Sequence, residues 1–136
     1  MTRRIAWLNE KGGSGKSTSA LNLSANLASQ FGQRVLLVDV DHQANITAVL
    51  TQGRAAQYSL TDVFMHDVPL RQAILGTHYT KLDLLPADAS LSEVNVAMAD
   101  SGGKLGIGRE GRLRRALQTV EQGYDFVIVD TGPQRT

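Results

Sequence analysis

The sequence predicts a three-layer α/β fold built on a mostly parallel sheet. Four short apolar runs are the predicted strands: Ile5–Leu8, Val35–Val40, Leu82–Leu85 and Phe126–Asp130. Each run is continuous rather than alternating with polar residues, which is typical of parallel strands that helices cover on both faces. Segments with helical spacing separate these runs, and such alternation of strand and helix favours parallel pairing.

The first predicted helix runs from about Lys16 to Phe31, between the first two strands. Its expected apolar face is formed by residues at helical spacing, namely Leu21, Leu23, Ala25, Leu27 and Ala28. Gly32 stands where a C-terminal cap belongs, because glycine adopts the left-handed conformation that ends many helices.

Shorter helices are predicted between the second and third strands and before the fourth. Ser59 to Asp62 resembles a capping box, and Pro69 is a good first-turn residue for a helix over Pro69–Leu75. Ser90 to Glu93 is a second capping box, which opens a helix through about Ala99. The last predicted helix, about Arg109 to Gln122, has one apolar side made of Leu113, Ala116, Leu117 and Val120.

Composition is that of one modest globular domain. The chain has 136 residues, with 14 basic and 13 acidic side chains and a net charge of +1, which argues neither for nor against nucleic acid. Cysteine is absent, which fits a reducing compartment and excludes a thiolate-held iron–sulfur cluster. No apolar run has the length of a membrane span, and the N-terminus lacks a secretory apolar region, so a cytoplasmic location is expected.

A glycine-rich octet, KGGSGKST from Lys11 to Thr18, separates the first predicted strand from the first predicted helix. Its glycines, Gly12, Gly13 and Gly15, allow consecutive backbone N–H groups to converge on an anion at the helix N-terminus. In such a loop Lys16 reaches the outer phosphates and the Ser17 hydroxyl binds Mg²⁺. The octet therefore predicts a nucleotide-phosphate site, against the alternative of a merely flexible glycine loop.

Three carboxylates end the second and fourth predicted strands. Asp39 and Asp41 follow the Val35 run, and Asp130 ends the Phe126 run. Ligands of open α/β sheets bind at the carboxyl ends of strands, so these acids are expected at the site. Two carboxylates beside a bound Mg²⁺ are reasonable, because the cation offsets their mutual repulsion. For Asp41 the alternative is an ordinary helix cap at the strand end.

The segment Asn9 to Thr18 resembles the deviant Walker A box of the ParA/MinD class of ATPases, whose mark is the extra lysine at Lys11. Val35 to Asn45 resembles the second box of that class, and Phe126 to Pro133 resembles its Walker B strand end. The resemblance implies a P-loop NTPase fold, truncated after the Walker B strand, with residues 1–136 as the N-terminal part of a single ATPase domain. It also implies that Ile5–Leu8, internal in the family's sheet, has one unpaired side here.

The resemblance implies ATP and Mg²⁺ as ligands and assigns roles to residues. Lys11 would contact the nucleotide of a partner subunit, although a solvated lysine is the alternative. Asp41 would orient the attacking water, Asp39 would support the metal shell, and Asp130 would hold a water bound to Mg²⁺. The implied phosphate-binding set is Gly12, Gly13, Ser14, Gly15, Lys16, Ser17 and Thr18.

The function implied by the resemblance is that of a ParA-type partition ATPase. Such a protein dimerises on ATP, binds DNA non-specifically, responds to a centromere-binding partner protein and segregates plasmid or chromosome copies in association with the nucleoid. Two alternatives stay open: a MinD-like membrane-cycling ATPase of division-site placement, and a non-hydrolysing nucleotide-binding module. The short N-terminus and the Asp-x-Asp-x-Gln-x-Asn pattern of the second box favour partition over division.

Three further features have two interpretations each. The glycine-rich stretch Ser101 to Gly111 is either a mobile connection, which its position after a helix favours, or a loop that closes over a ligand. His42, where the family has proline, is either a solvent-facing turn residue or a catalytic group. The arginines of the last helix, Arg109, Arg112, Arg114 and Arg115, form either a solvated face or a DNA contact.

Overall fold

The computed structural model describes residues 4–10, 16–41, 43–94 and 109–133. Five strands make one sheet: β1 (Arg4–Glu10), β2 (Val35–Asp39), β3 (Leu75–Gly76), β4 (Leu82–Leu85) and β5 (Phe126–Pro133). Five helices accompany it: α1 (Lys16–Ser29), α2 (Asn45–Thr51), α3 (Leu60–Met65), α4 (Leu70–Ala73) and α5 (Arg109–Leu117). A helical turn covers residues 91–94, and a short 3-10 helix covers Glu121–Gly123.

The sheet has the strand order β1-β5-β2-β4-β3. Pairing is parallel from β1 through β4, and the short β3 alone pairs antiparallel with β4. The predicted mostly parallel sheet is therefore confirmed. Strand β1 lies at the edge, and among the described residues no strand pairs with its other side.

Both faces of the sheet are buried, which explains why its strands are continuous apolar runs. Leu36 and Val38 of β2 face one core cluster with α3, α4 and α5, whereas Val35 and Leu37 face a second cluster with α1 and α2. Successive side chains of a strand point to opposite faces, so apolar side chains are needed at Val35 to Val38 on both faces of β2. This arrangement is the predicted three-layer order of helices, sheet and helices.

Helix α1 packs most of its predicted apolar face against the sheet: Ala28 is buried, and Leu21, Ala25 and Leu27 are partly buried against the same core cluster. Ala20, Ser24 and Ala28 are fully buried, one turn apart, while Leu23 is 40% exposed. The prediction placed Leu23 on the buried face and was wrong there, because the face turned towards the core is centred on Ala20, Ser24 and Ala28. The helix ends at Ser29, slightly earlier than predicted, and Gly32 adopts the expected left-handed φ of 63°.

The capping prediction for α3 is confirmed. The N–H of Thr61 donates to Ser59 Oγ at 3.2 Å, and the N–H of Ser59 donates to Asp62 Oδ2 at 2.8 Å. These two bonds satisfy backbone donors that a helix start otherwise leaves without partners.

Other helix ends differ from prediction. Helix α4 stops at Ala73, because Leu75 pairs with Leu84 in the unpredicted strand β3. Helix α5 ends at Leu117 rather than Gln122 and is continued by a turn and the 3-10 helix. The helix that the second capping box predicts begins at Leu91, directly after Ser90 as expected, and its expected end near Ala99 lies outside the described residues.

The C-cap residue of α2, Gln52, has a strained backbone conformation that a substitution could relieve. Gln52 is exposed and left-handed, with φ 57° and ψ 37°. A side chain in this conformation costs about 1–2 kcal/mol, and the greater freedom of glycine in the unfolded chain would offset about 0.5–1 kcal/mol of the strain that glycine relieves. We expect Q52G to raise the free energy of unfolding by about 0.5–1 kcal/mol in urea titrations.

The matched control is A48G in the same helix. Ala48 is exposed and lies inside α2, where glycine lowers stability by about 1 kcal/mol. Opposite signs for the two glycine substitutions would identify the conformation at Gln52 as the cause. Equal losses would contradict the assigned strain.

Candidate nucleotide-phosphate site

Three neighbouring strands, β1, β5 and β2, bring residues into register at the edge of the sheet that the carboxyl ends of its parallel strands form. In the register of the parallel pairs, Leu8 of β1 lies beside Asp130 of β5, and Asp130 lies beside Asp39 of β2. The N–H of Val40 continues the pairing by donating to the carbonyl of Asp130 at 2.9 Å. The chain leaves β1 at Glu10 and begins α1 at Lys16, so the predicted phosphate loop joins this same edge to a helix N-terminus.

The structure places part of the predicted phosphate-binding set. Lys16, Ser17 and Thr18 form the first turn of α1. Their side chains lie outside the described residues, as do the predicted loop residues Lys11, Gly12, Gly13, Ser14 and Gly15. The strand before the loop and the helix after it are present where the sequence predicts them.

Asp39 is a fully buried carboxylate that three hydrogen bonds hold in place. Its Oδ1 accepts from the N–H of Asp41 at 3.1 Å. Its Oδ2 accepts from the N–H of Thr47 at 3.0 Å and from the Thr47 hydroxyl at 2.8 Å. Both oxygens therefore have fixed directions, and the carboxylate plane is set by the backbone and by α2.

Burial raises the pKa of Asp39 to about 6, against the opposing effect of its hydrogen bonds with Thr47 and the N–H of Asp41. The negative charge of Asp130, 1% exposed on the neighbouring strand, raises that pKa further. Two buried acids at one sheet edge make a site where a cation would be stabilised. The residues present therefore fit a divalent cation.

Asp41 is also buried, at 6% exposure, and its carboxylate closes a tight turn. Its Oδ1 accepts from the N–H of Gln43 at 3.0 Å, and its carbonyl accepts from the N–H of Ala44 at 2.8 Å. The N-cap of α2 is Ala44, whose side chain makes no capping bond. Asp41 thus caps a turn ahead of the helix and not the helix itself, contrary to the alternative weighed from the sequence.

Thr47 is a site residue that the sequence did not indicate. It lies in α2, is 8% exposed and binds the carboxylate of Asp39. No motif marks it, because its role depends on α2 folding back against the end of β2. A hydroxyl eight residues after a strand-end acid is the signal that the sequence offers, and it is a weak one.

Within the described ranges, no three His, Cys, Asp or Glu side chains converge on a metal position. A magnesium ion at a phosphate loop takes only one or two protein ligands and fills its shell with phosphate oxygens and water. Across the same ranges, no helix is long and apolar enough to cross a membrane.

The remaining sequence candidates lie elsewhere. His42 and residues 101–108 are outside the described residues. Arg114 and Arg115 are exposed on α5, and Arg112 is half-buried, while Leu113 and Leu117 face the core. This distribution is that of an amphipathic helix with a solvated arginine face.

Comparison with known proteins agrees with the geometry. A family model described as an AAA domain matches residues 2–136. The sporulation initiation inhibitor protein Soj of Bacillus subtilis is 39% identical over 134 residues, which are 98% of this chain and 51% of Soj. The chromosome partitioning protein ParA of Caulobacter vibrioides is also 39% identical over 134 residues, covering 96% of this chain and 48% of ParA.

A solved structure shows the same fold with a nucleotide. Cobyrinic acid a,c-diamide synthase from Mycobacterium smegmatis, with bound ADP and magnesium, matches with a TM-score of 0.79 and 35% identity over 96% of this chain and 50% of that one. The chain spans about half the length of the curated relatives it matches. From its family match, its relatives and its fold, the chain belongs to the AAA domain family and, within it, to the ParA/MinD class of P-loop ATPases.

Proposed function

We propose that this chain binds and hydrolyses ATP as part of a ParA-type partition protein. The observation that carries the proposal is the register of β1, β5 and β2, in which Leu8, Asp130 and Asp39 lie side by side near the carboxyl ends of their strands, where the Lys11–Thr18 segment follows β1. Ligands of parallel α/β sheets bind at this edge. A relative named for chromosome partitioning points to partition as the biological role.

The phosphates of ATP would lie at the N-terminus of α1. The glycine-rich loop would supply backbone N–H donors through Gly12, Gly13, Ser14 and Gly15, and the helix dipole would add to their field. Lys16 would neutralise charge on the outer phosphates. Thr18, in the first helical turn, would add a hydroxyl to the α-phosphate.

Mg²⁺ would be held by Ser17 directly and by Asp39 and Asp130 through its shell. When bound, the ion supplies positive charge that offsets the negative charge of the phosphate oxygens and of the two buried carboxylates. Asp39 is suited to this position because three hydrogen bonds already fix its carboxylate. With a pKa of about 6, it is largely ionised at neutral pH before any cation binds.

Hydrolysis would depend on Asp41 and Lys11. Asp41 follows the strand end by two residues and lies beside Asp39, where its carboxylate would orient a water for attack on the outermost phosphate. Lys11 would act on the nucleotide of a second subunit, as a cation supplied in trans. This arrangement would couple hydrolysis to an ATP-dependent homodimer.

The dimer would bind DNA without sequence preference and would be released when a centromere-binding partner protein stimulates hydrolysis. Cycles of this kind would move plasmid or chromosome copies in the cytoplasm, with the ATP form associated with the nucleoid. Non-specific DNA binding rests on phosphate contacts, so its affinity should fall steeply with salt concentration.

Calorimetric titration of Mg·ATP tests the nucleotide half of this proposal. We expect saturable binding with a dissociation constant between about 1 μM and 1 mM, the usual range for enzyme substrates. A titration with Mg·GTP measures selectivity for the base. A titration with ATP and EDTA shows how much of the ATP affinity depends on the metal. A folded chain that gives no saturable heat with Mg·ATP would overturn the proposal.

The same preparation tests the DNA half. Fluorescence anisotropy of a labelled duplex of random sequence should rise with Mg·ATP and not with Mg·ADP, and the rise should weaken as salt increases. Anisotropy that does not depend on the nucleotide would separate DNA binding from the ATP cycle.

A further inference from the structure

Thr47 joins two buried groups that come from distant parts of the chain. Its Oγ1 lies 2.8 Å from Asp39 Oδ2 and 2.9 Å from the N–H of Ala87, which is 40 residues away. A backbone N–H can only donate, so the hydroxyl accepts from Ala87. The single hydroxyl proton is therefore directed at Asp39 Oδ2, which accepts it.

The contact at Ala87 belongs to a wider hydrogen-bonded segment, residues 86–88, which follows β4. The carbonyl of Pro86 accepts from the N–H of Leu60 at 2.8 Å. Asp88 accepts from the hydroxyls of Ser59 and Thr61 at 2.8 and 2.7 Å. Segment 86–88 is thus fastened to the N-terminus of α3, and Thr47 connects that unit to Asp39.

Removing the Thr47 hydroxyl would leave two buried polar groups short of a partner. Asp39 Oδ2 would keep only the N–H of Thr47, and the N–H of Ala87 would lose its acceptor. The loss of a hydrogen-bond partner costs more free energy inside a protein than at its surface, because water does not replace the missing partner there. The carboxylate would then turn more freely about its own bond.

We propose that Thr47 is a positioning residue of the phosphate site, whose hydroxyl orients the Asp39 carboxylate for a divalent cation and ties that orientation to segment 86–88. This inference rests on the proposed function, since it assumes that Asp39 serves the metal shell. Thr47 itself contacts neither nucleotide nor metal in this scheme. Its effect is exerted through Asp39 alone.

The test compares T47V, which has nearly the same shape without the hydroxyl, with T47S, which keeps the hydroxyl. ATP binding is measured by calorimetry across a series of Mg²⁺ concentrations. We expect T47V to need about 10- to 100-fold more Mg²⁺ for the same gain in ATP affinity, as substitutions of residues that orient metal ligands generally do. T47S should stay close to the unsubstituted chain, and ATP binding in EDTA should be the same in all three.

A second readout does not depend on nucleotide. In ¹H–¹⁵N spectra the amide proton of Ala87 should move upfield in T47V, where its acceptor is gone, and stay in place in T47S. Thermal unfolding shows whether each variant is folded, and T47A replaces T47V if valine prevents folding.

The outcomes separate the two claims. A folded T47V or T47A with the Mg²⁺ requirement of the unsubstituted chain overturns the positioning role while leaving the proposed function intact. An unsubstituted chain whose ATP binding ignores Mg²⁺ overturns the metal assignment on which both claims rest. A shift of the Ala87 amide in T47S as large as in T47V would mean that the hydroxyl is not its acceptor.

Discussion

Replacing Lys16 with alanine is expected to weaken Mg·ATP binding by about 100-fold. The substitution removes the cation nearest the outer phosphates, and charge-assisted hydrogen bonds of this kind contribute about 1.5–3 kcal/mol, where each 1.4 kcal/mol is a factor of ten. The fold should survive, because Lys16 lies in the first turn of α1, ahead of the buried residues Ala20, Ser24 and Ala28. Calorimetry with Mg·ATP gives the affinity, and thermal unfolding checks the fold.

K81A is the matched control. Lys81 is exposed and precedes β4, so it lies at the amino end of the parallel strands, across the sheet from the phosphate site. Its Nζ donates to the carbonyl of Gly32 at 3.2 Å, a surface contact unrelated to nucleotide. K81A changes net charge by the same amount and should leave Mg·ATP affinity unchanged. Equal Mg·ATP affinities for K16A and the unsubstituted chain would show that Lys16 does not contribute to phosphate binding.

The strands could be predicted from the sequence because burial on both faces leaves an unbroken apolar run. β2 is the clearest case, since Leu36 and Leu37 face opposite clusters and both are fully buried. Strand β3 could not be predicted, because two residues carry no periodicity and Leu75 also fits the helical pattern of the preceding segment. Its strand conformation comes from pairing with β4.

Helix α1 shows a different limit of the sequence pattern. A stripe of large apolar residues predicts which face is buried, but the most buried described residues of α1 are Ala20, Ser24 and Ala28. Small side chains weigh little in a hydrophobicity pattern, although they decide how near two elements can lie. Leu23 was assigned to the core because it is large, apolar and at helical spacing, but it is exposed.

The acids of the site were predicted from their positions at strand ends, and the structure places Asp39, Asp41 and Asp130 together at one edge. The sequence did not predict the hydrogen-bond partners that orient these carboxylates. Thr47 reaches Asp39 within the local fold, but its second bond, to Ala87, requires the order of β2 and β4 in the sheet. Local pattern predicts the chemical groups, and tertiary structure sets their directions.

Replacing Asp41 is expected to abolish ATP hydrolysis while leaving ATP binding nearly unchanged. A group that orients or deprotonates water contributes about 10²- to 10⁴-fold to rate, so turnover of D41N and D41A should fall by about that factor. Mg·ATP affinity should change little, because the proposed phosphate and metal contacts come from other residues. Phosphate release at saturating Mg·ATP and calorimetric titration measure the two quantities separately.

Two substitutions are needed because Asp41 also has a structural contact. Its Oδ1 accepts from the N–H of Gln43, which closes the turn before α2. D41N keeps an oxygen for that bond and removes the charge, whereas D41A removes both, at a cost in stability of about 1 kcal/mol for the lost hydrogen bond. If the water-orienting role is right, both variants lose turnover equally although only D41A loses stability. Turnover retained in D41N and lost in D41A would instead assign Asp41 to the turn, and the orientation of water to another residue.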